Sequence, residues 1–138
     1  MRVEDSTFFV TGGGSGLGAA TARLLAHSGA HVVIADVDEV AGEQTASEIG
    51  NGTMFIRTDV TDEESVQDAL DSVVETFGSL HGVVNCAGIG PAAKIVGKKG
   101  VHDLGLFTKT VEINLVGTFN VIRLAAVKLA ANDPGEDG

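Results

Sequence analysis

Thr11-Gly12-Gly13-Gly14-Ser15-Gly16-Leu17-Gly18 joins a short apolar, β-rich run, Thr7-Phe8-Phe9-Val10-Thr11, to a stretch with small and apolar residues at helical spacing. A glycine cluster in this position lets the chain turn out of a strand and enter a helix at once. Helix N-termini carry unpaired N–H groups and a partial positive charge, so an anion, a pyrophosphate above all, suits the turn. The strict G-x-G-x-x-G order is not met, because Leu17 stands where its third glycine would fall; the spacing is Gly12, Gly16, Gly18. No lysine follows these glycines, which excludes a Walker A loop. An ordinary glycine-rich turn is the alternative, and the placement between strand and helix favours binding.

Outward from the turn, Leu17, Ala20 and Leu24 predict the buried face of the first helix, with Gly29 as its stop. His31-Val32-Val33-Ile34-Ala35-Asp36 is almost continuously apolar, as a parallel strand covered on both faces should be. A helix is predicted over 40–49, broken by Gly50-Asn51-Gly52, and a strand over 53–58. Thr61 and Glu64 read as a capping box opening a helix whose face is Val66, Leu70, Val73 and Phe77, closed by Gly78. Gly82-Val83-Val84-Asn85 is a fourth strand, a last long helix is predicted over 108–131, and 132–138 reads as a polar loop. Strand and helix alternate four times. Right-handed crossovers then give an α/β, doubly wound, Rossmann-like parallel sheet with strand order 3-2-1-4. Residues 1–138 form one nucleotide-binding domain, expected to lack the fifth strand of such a sheet.

Composition narrows the partners. Nine basic residues against nineteen acidic ones give a formal charge of −10, a field that opposes nucleic acid. No apolar run reaches the ~18 residues of a membrane span, and the acidic start Met1-Arg2-Val3-Glu4-Asp5 does not read as a signal peptide, so a cytoplasmic location is expected. The single cysteine, Cys86, cannot form an internal disulfide and reads as a small buried residue. His27, His31, His81 and His102 lack metal-ligand spacing, so no metal site is predicted. Lys94, Lys98 and Lys99 read as a solvated loop, with contact to the phosphates of an anionic substrate as the alternative.

Asp36 ends the second strand eighteen residues after Gly18, where a dinucleotide site needs an acid for the adenosine ribose hydroxyls. The same carboxylate would repel a 2′-phosphate, so NAD is preferred to NADP. Capping of the next helix is the other role open to Asp36, and Asp38 could fill it equally. Asp59 and Val60 close the third strand, placed to bond and pack an adenine ring.

Together these residues resemble the short-chain dehydrogenase/reductase family over essentially the whole chain. Thr11-Gly12-x-x-x-Gly16-x-Gly18 is similar to that family's cofactor turn. Asn85-Cys86-Ala87-Gly88 is similar to its Asn-Asn-Ala-Gly element, with Cys86 in place of the second asparagine, and Asn114 in Glu112-Ile113-Asn114 matches the asparagine of its catalytic tetrad. Within the family, Gly117-Thr118-Phe119-Asn120-Val121-Ile122-Arg123-Leu124 and the lysine-bearing insert before it resemble the 3-hydroxyacyl-CoA dehydrogenases. The resemblance implies NAD-linked interconversion of a secondary alcohol and its ketone. It implies nucleotide contacts from Ser15, Leu17, Asp36, Asp59, Val60 and Cys86, the last through its backbone, and a relay water held by Asn114. It also implies a serine and a Tyr-x-x-x-Lys pair that carry the reaction. The chain has no tyrosine, so residues 1–138 alone are expected to be inactive.

Val111, Leu115, Ile122 and Leu129 form one apolar face of the last helix, and Val116, Phe119 and Val127 another. A helix apolar on so much of its circumference needs cover on two sides; in the family a second subunit supplies it, which predicts a homo-oligomer, a dimer or a tetramer, and residues beyond 138 are the alternative cover. Two other functions compete. S-adenosylmethionine methyltransferases share the glycine turn and the acid after strand two, but carry an acid where this chain has Val10. A non-catalytic nucleotide sensor would explain the missing tyrosine.

Overall fold

Buried on both faces, Thr7–Thr11 forms the strand β1 at the centre of the molecule. In the computed structural model, which describes residues 2–98 and 100–134, it is followed by α1 (Gly16–His27), β2 (His31–Asp36), α2 (Glu39–Ile49), β3 (Met54–Arg57), α3 (Glu63–Phe77) and β4 (Gly82–Asn85). A two-stranded antiparallel hairpin, β5 (Val96–Gly97) and β6 (Gly100–Val101), comes next. The chain then enters one continuous helical rod: α4 (Leu104–Val111), a π-helical stretch (Glu112–Gly117) and α5 (Thr118–Ala130). Residues 135–138 of the predicted polar loop, and Lys99, lie outside the described residues.

The main sheet is parallel in the order β3-β2-β1-β4, as the alternation predicts. Strand side chains alternate between its faces. Phe8, Val10, Val32 and Ile34 share a core with Ala22 and Ala26 of α1 and Ala46 and Ile49 of α2. Phe9, Val33 and Ala35 share the other with Val66, Leu70 and Val73 of α3 and Val121 and Ala125 of α5.

Three helix readings need correction. In α1 the buried residues are Gly18, Ala19, Ala22 and Ala26, while Leu17 and Leu24 are 83% and 69% exposed. The helix starts hard against the glycine turn, and only small side chains allow it to lie so near the sheet. In α3 the cap is Asp62, accepting from the Ser65 N–H, and not Thr61 with Glu64; the hydroxyl of Thr61 donates to Asp59 instead. The predicted face of α3 and its glycine stop hold, with Gly78 in the left-handed region at φ 82°. The last helix begins at Leu104, four residues before its predicted start. Its core-facing residues are Gly117, Asn120, Val121 and Ala125, with Leu124 and Leu129 packed beside them. Leu115 and Ile122, read as one apolar face with Val111 and Leu129, are exposed together with Val116, Phe119 and Val127 of the other. The π-helical stretch changes the phase of the rod, so a pattern read at uniform helical pitch loses register across it.

The rod also bears on the membrane expectation. Leu104–Ala130 is 27 residues long with a window of mean hydropathy 1.4, enough by length and composition alone to cross a membrane. Its central residues instead pack on the sheet, and two of its three cations are bound by neighbours: Arg123 by Glu63 and Lys128 by Asp71. The Lys128 ammonium, with a second hydrogen bond from Gln67, holds the Asp71 carboxyl below the usual carboxylate range.

Candidate functional site

Parallel strands deliver their C-terminal ends to one edge of the sheet, and between β1 and β4 the chain's winding reverses direction. At such a point the loops diverge and leave a crevice. Here it is a cleft of about 690 Å³ lined by the ends of β2 and β3, the loops that follow the four strands, and the start of α1. Gly12, Ser15, Gly16, Leu17, Gly18, Asp36, Asp59, Val60, Cys86, Ala87 and Gly88, predicted from separate stretches of sequence, all border it. Asn85 and Asn114 do not.

The glycines have different duties. A Cβ on Gly18 would overlap the Gly12 carbonyl, and one on Gly12 would lie 2.6 Å from the Ala87 nitrogen. These two let α1 and the loop after β4 close on the turn. At Gly16 a Cβ would meet nothing within 4 Å, and its φ of 52° is what calls for glycine. The space beside Gly16 is therefore open cleft. Ser15 caps α1 with extended backbone and no side-chain hydrogen bond, and no acid lies in the first turn. By contrast Asp38, Asp62 and Asp103 each cap their own helix through a carboxylate. The α1 N-terminus thus presents its N–H groups to the cleft without an internal acceptor.

Asp36 stands across from this turn. One carboxylate oxygen accepts the Gly14 N–H at 2.9 Å and the other the Asp38 N–H at 3.1 Å. Capping of α2 falls to Asp38, which accepts from Ala41 at 3.0 Å. The Gly14 carbonyl accepts the buried Thr45 hydroxyl at 2.9 Å. Thr45 therefore braces the turn from α2, a role that no local spacing announces. Asp59 is more committed than its sequence position suggests: one oxygen accepts both the N–H and the hydroxyl of Thr61, at 2.9 and 2.7 Å. Its second oxygen takes no hydrogen bond among the described residues.

On the far side, the Cys86 N–H donates to Thr11 O at 3.1 Å and the Ala87 N–H to the Thr11 hydroxyl at 3.2 Å, which fixes the loop after β4. Asn85 pairs in register with Thr11 behind that loop. Asn114, in the π-helical stretch, uses its whole side chain as a clamp: Oδ1 accepts the Ile89 N–H and Nδ2 donates to Ile89 O, both at 2.8 Å. Each group keeps one further site for a water, a lone pair on Oδ1 and a hydrogen on Nδ2. Arg57, Lys109, Glu112 and Ile113 also line the cleft, and the sequence reading gave them no role. Arg57 is legible in hindsight, since it pairs in register with Asp36. His81 is occupied structurally, its Nδ1 accepting the Thr7 N–H at 3.0 Å. Among the described residues no group of three or more His, Cys, Asp or Glu could hold a metal ion.

The family model for short chain dehydrogenases matches residues 6–136. Across 138 residues the sequence is 44% identical to 3-hydroxyacyl-CoA dehydrogenase type-2 of Drosophila melanogaster and 45% identical to that of Homo sapiens. Each match covers 99% of this chain but 54% and 53% of the relative. Ipsdienol dehydrogenase of Ips pini is 38% identical, with 100% of this chain and 54% of that protein covered. The chain spans about half the length of the curated relatives it matches.

Proposed function

The chain belongs to the short-chain dehydrogenase family, and on that footing we propose that its cleft holds NAD for an oxidoreductase interconverting a secondary alcohol and its ketone. A 3-hydroxyacyl-CoA is the substrate class to test first, because the relatives carrying that name match at 44–45% identity. The observation that carries the nucleotide reading is the uncapped start of α1 facing the same cleft as the Asp36 carboxylate.

The turn from Gly12 to Gly18 would hold the pyrophosphate through backbone N–H groups, and Asp36 the adenosine ribose hydroxyls. The free oxygen of Asp59 and the side chain of Val60 would take the adenine. Cys86, Ala87 and Gly88 would flank the sugar nearer the nicotinamide, with Asn85 supporting them from behind. When bound, NAD supplies the hydride acceptor. Asn114 would hold a water: its clamp on Ile89 fixes the π-helical stretch, and its carbonyl, which accepts from the Thr118 hydroxyl at 2.8 Å, and its half-used side-chain amide both have capacity for one. With no tyrosine in the chain, the tyrosine and lysine of the reaction would come from outside these residues.

Calorimetric titration with NAD should give saturable binding, while a 3-hydroxyacyl-CoA with NAD should give no NADH from residues 1–138. Absence of binding would remove the cofactor reading, and turnover would remove the division of labour. A non-catalytic nucleotide-binding module is the second reading, favoured by the lack of tyrosine; it requires that no polypeptide carrying this chain oxidises an alcohol.

The exposed apolar side chains of the rod, Phe107, Leu115, Val116, Phe119, Ile122 and Val127, would be covered by a second subunit, giving a dimer or a tetramer. Sedimentation equilibrium should show that association, and Phe119→Glu should reduce it to monomer. A wild-type chain that stays monomeric at every concentration sinks this reading.

A further inference from the structure

A chain of hydrogen bonds runs from the protein surface to the wall of the cleft and ends on the backbone of Val60. Glu63 Oε2 pairs with Arg123 Nη2 at 2.8 Å. Arg123 donates from Nε and Nη2 to Asn120 Oδ1, at 3.1 and 2.7 Å. Asn120 Nδ2 donates to the Val60 carbonyl at 2.9 Å, and that bond is buried. A guanidinium has donors only, so the amide oxygen must face Arg123 and the amide nitrogen must face Val60. The ion pair at the surface thereby decides which way a buried amide points.

Val60 sits in a segment that needs such support. Residues 58–61 link β3 to α3 and belong to neither. The Asp59 N–H donates to the Ser65 hydroxyl at 3.0 Å, which ties the segment to α3. From the other side it is held by Asn120 alone among the described side-chain bonds, while Gly117 leaves room for Val60: a Cβ there would lie 2.6 Å from Val60 Cγ2. Asn120 is 6% exposed and Val60 7% exposed, so no solvent replaces a lost partner.

We propose that Asn120 is a positioning residue for the adenine end of the nucleotide, with Arg123 and Glu63 as the pair that orients it. The inference rests on the nucleotide reading above. Asn120 touches no ligand; it sets the height of the Val60 wall through the carbonyl, and the adenine meets that wall. Without the amide donor the carbonyl turns toward another partner and carries the side chain with it.

The test is calorimetric binding of ADP-ribose, which needs only the adenosine and pyrophosphate regions, to the full chain. Asn120→Leu keeps the volume and removes the donor. Asn120→Asp keeps both the volume and the link to Arg123 while turning the donor into an oxygen that the Val60 carbonyl repels, and it guards against a leucine variant that does not fold. Both should weaken ADP-ribose about tenfold, the scale of one unmet buried hydrogen bond. Arg123→Met, a change at the surface, frees the amide to rotate and should weaken binding about threefold. Ile49→Ala, in the core on the opposite face of the sheet, is the control: it should lower the melting temperature at least as much and leave the dissociation constant unchanged. If the Asn120 variants bind like wild type, or Ile49→Ala loses equal affinity, Asn120 is mere core structure and the proposal falls. If the wild-type chain itself binds no ADP-ribose, the nucleotide reading falls and takes this inference with it.

Discussion

Gly18→Ala is expected to destabilise the chain by about 3 kcal/mol, lower its melting temperature by about 10 °C and abolish nucleotide binding. The reason is the kind of atom in the way. A flexible side chain can swing aside from an added methyl group, but the Cβ at residue 18 would overlap the carbonyl oxygen of Gly12 and lie 2.7 Å from its carbon. Backbone cannot rotate away, so α1 must lift or the turn must open. Gly12 has no slack, because its other flank lies against Cys86 and Ala87. Either movement disturbs the N–H groups that face the cleft. Gly16→Ala is the comparison. Its Cβ enters open space, and the cost is confined to the left-handed backbone, about 1 kcal/mol. Thermal melts followed by circular dichroism would rank the two variants. A Gly18→Ala chain that melts with the wild type and still binds NAD would show that the packing of this turn is far looser than described.

Asp36→Ala is expected to move the ratio of NAD to NADP affinity about a hundredfold toward NADP. Two opposite unit charges, or two like ones, about 4 Å apart interact by about 4 kcal/mol at the effective dielectric of a protein surface, less after screening by salt. Asp36 borders the cleft, so removing its charge lifts a penalty of that order from a 2′-phosphate. Arg57, beside it in the sheet and also on the cleft, then becomes the dominant local charge. NAD itself should bind about tenfold more weakly, since the ribose hydroxyls lose their acceptor. The turn should survive, because Thr45 still holds the Gly14 carbonyl when its N–H loses Asp36. Competition titrations with the two dinucleotides give the ratio directly. An unchanged ratio would mean that Asp36 serves only Gly14 and Asp38.

Gly18 and Asp36 are both legible in the sequence, and the reason is local. The strands are buried on two faces, so β1 and β2 read as unbroken apolar runs, and the turn and Asp36 follow from where those runs stop. The large aliphatic face of α3 is equally plain. The face of α1 is not, because close approach to a sheet selects glycine and alanine, and hydrophobicity then points at the exposed Leu17 and Leu24. The α3 cap was ambiguous by one position, since Thr61 with Glu64 and Asp62 with Ser65 both satisfy the spacing and only the backbone geometry selects the second. Thr45 on Gly14, Asn114 on Ile89 and Asn120 on Val60 join residues 31, 25 and 60 apart in the chain. No periodicity encodes such pairs; they exist once the helices have docked.

The π-helical stretch touches both ends of the cleft. Asn114 grips Ile89 beyond β4, and Gly117, three residues on, makes room for Val60 beyond β3. One short segment therefore acts as a gauge block between two walls that belong to different loops. A deletion or insertion there would rotate everything upstream by about 100°, one residue's turn of a helix, and would detach one wall or the other. Lineages carrying this fold would then tolerate length changes in the β5–β6 hairpin far more readily than in residues 112–117, and drift at one wall would have to be matched at the other.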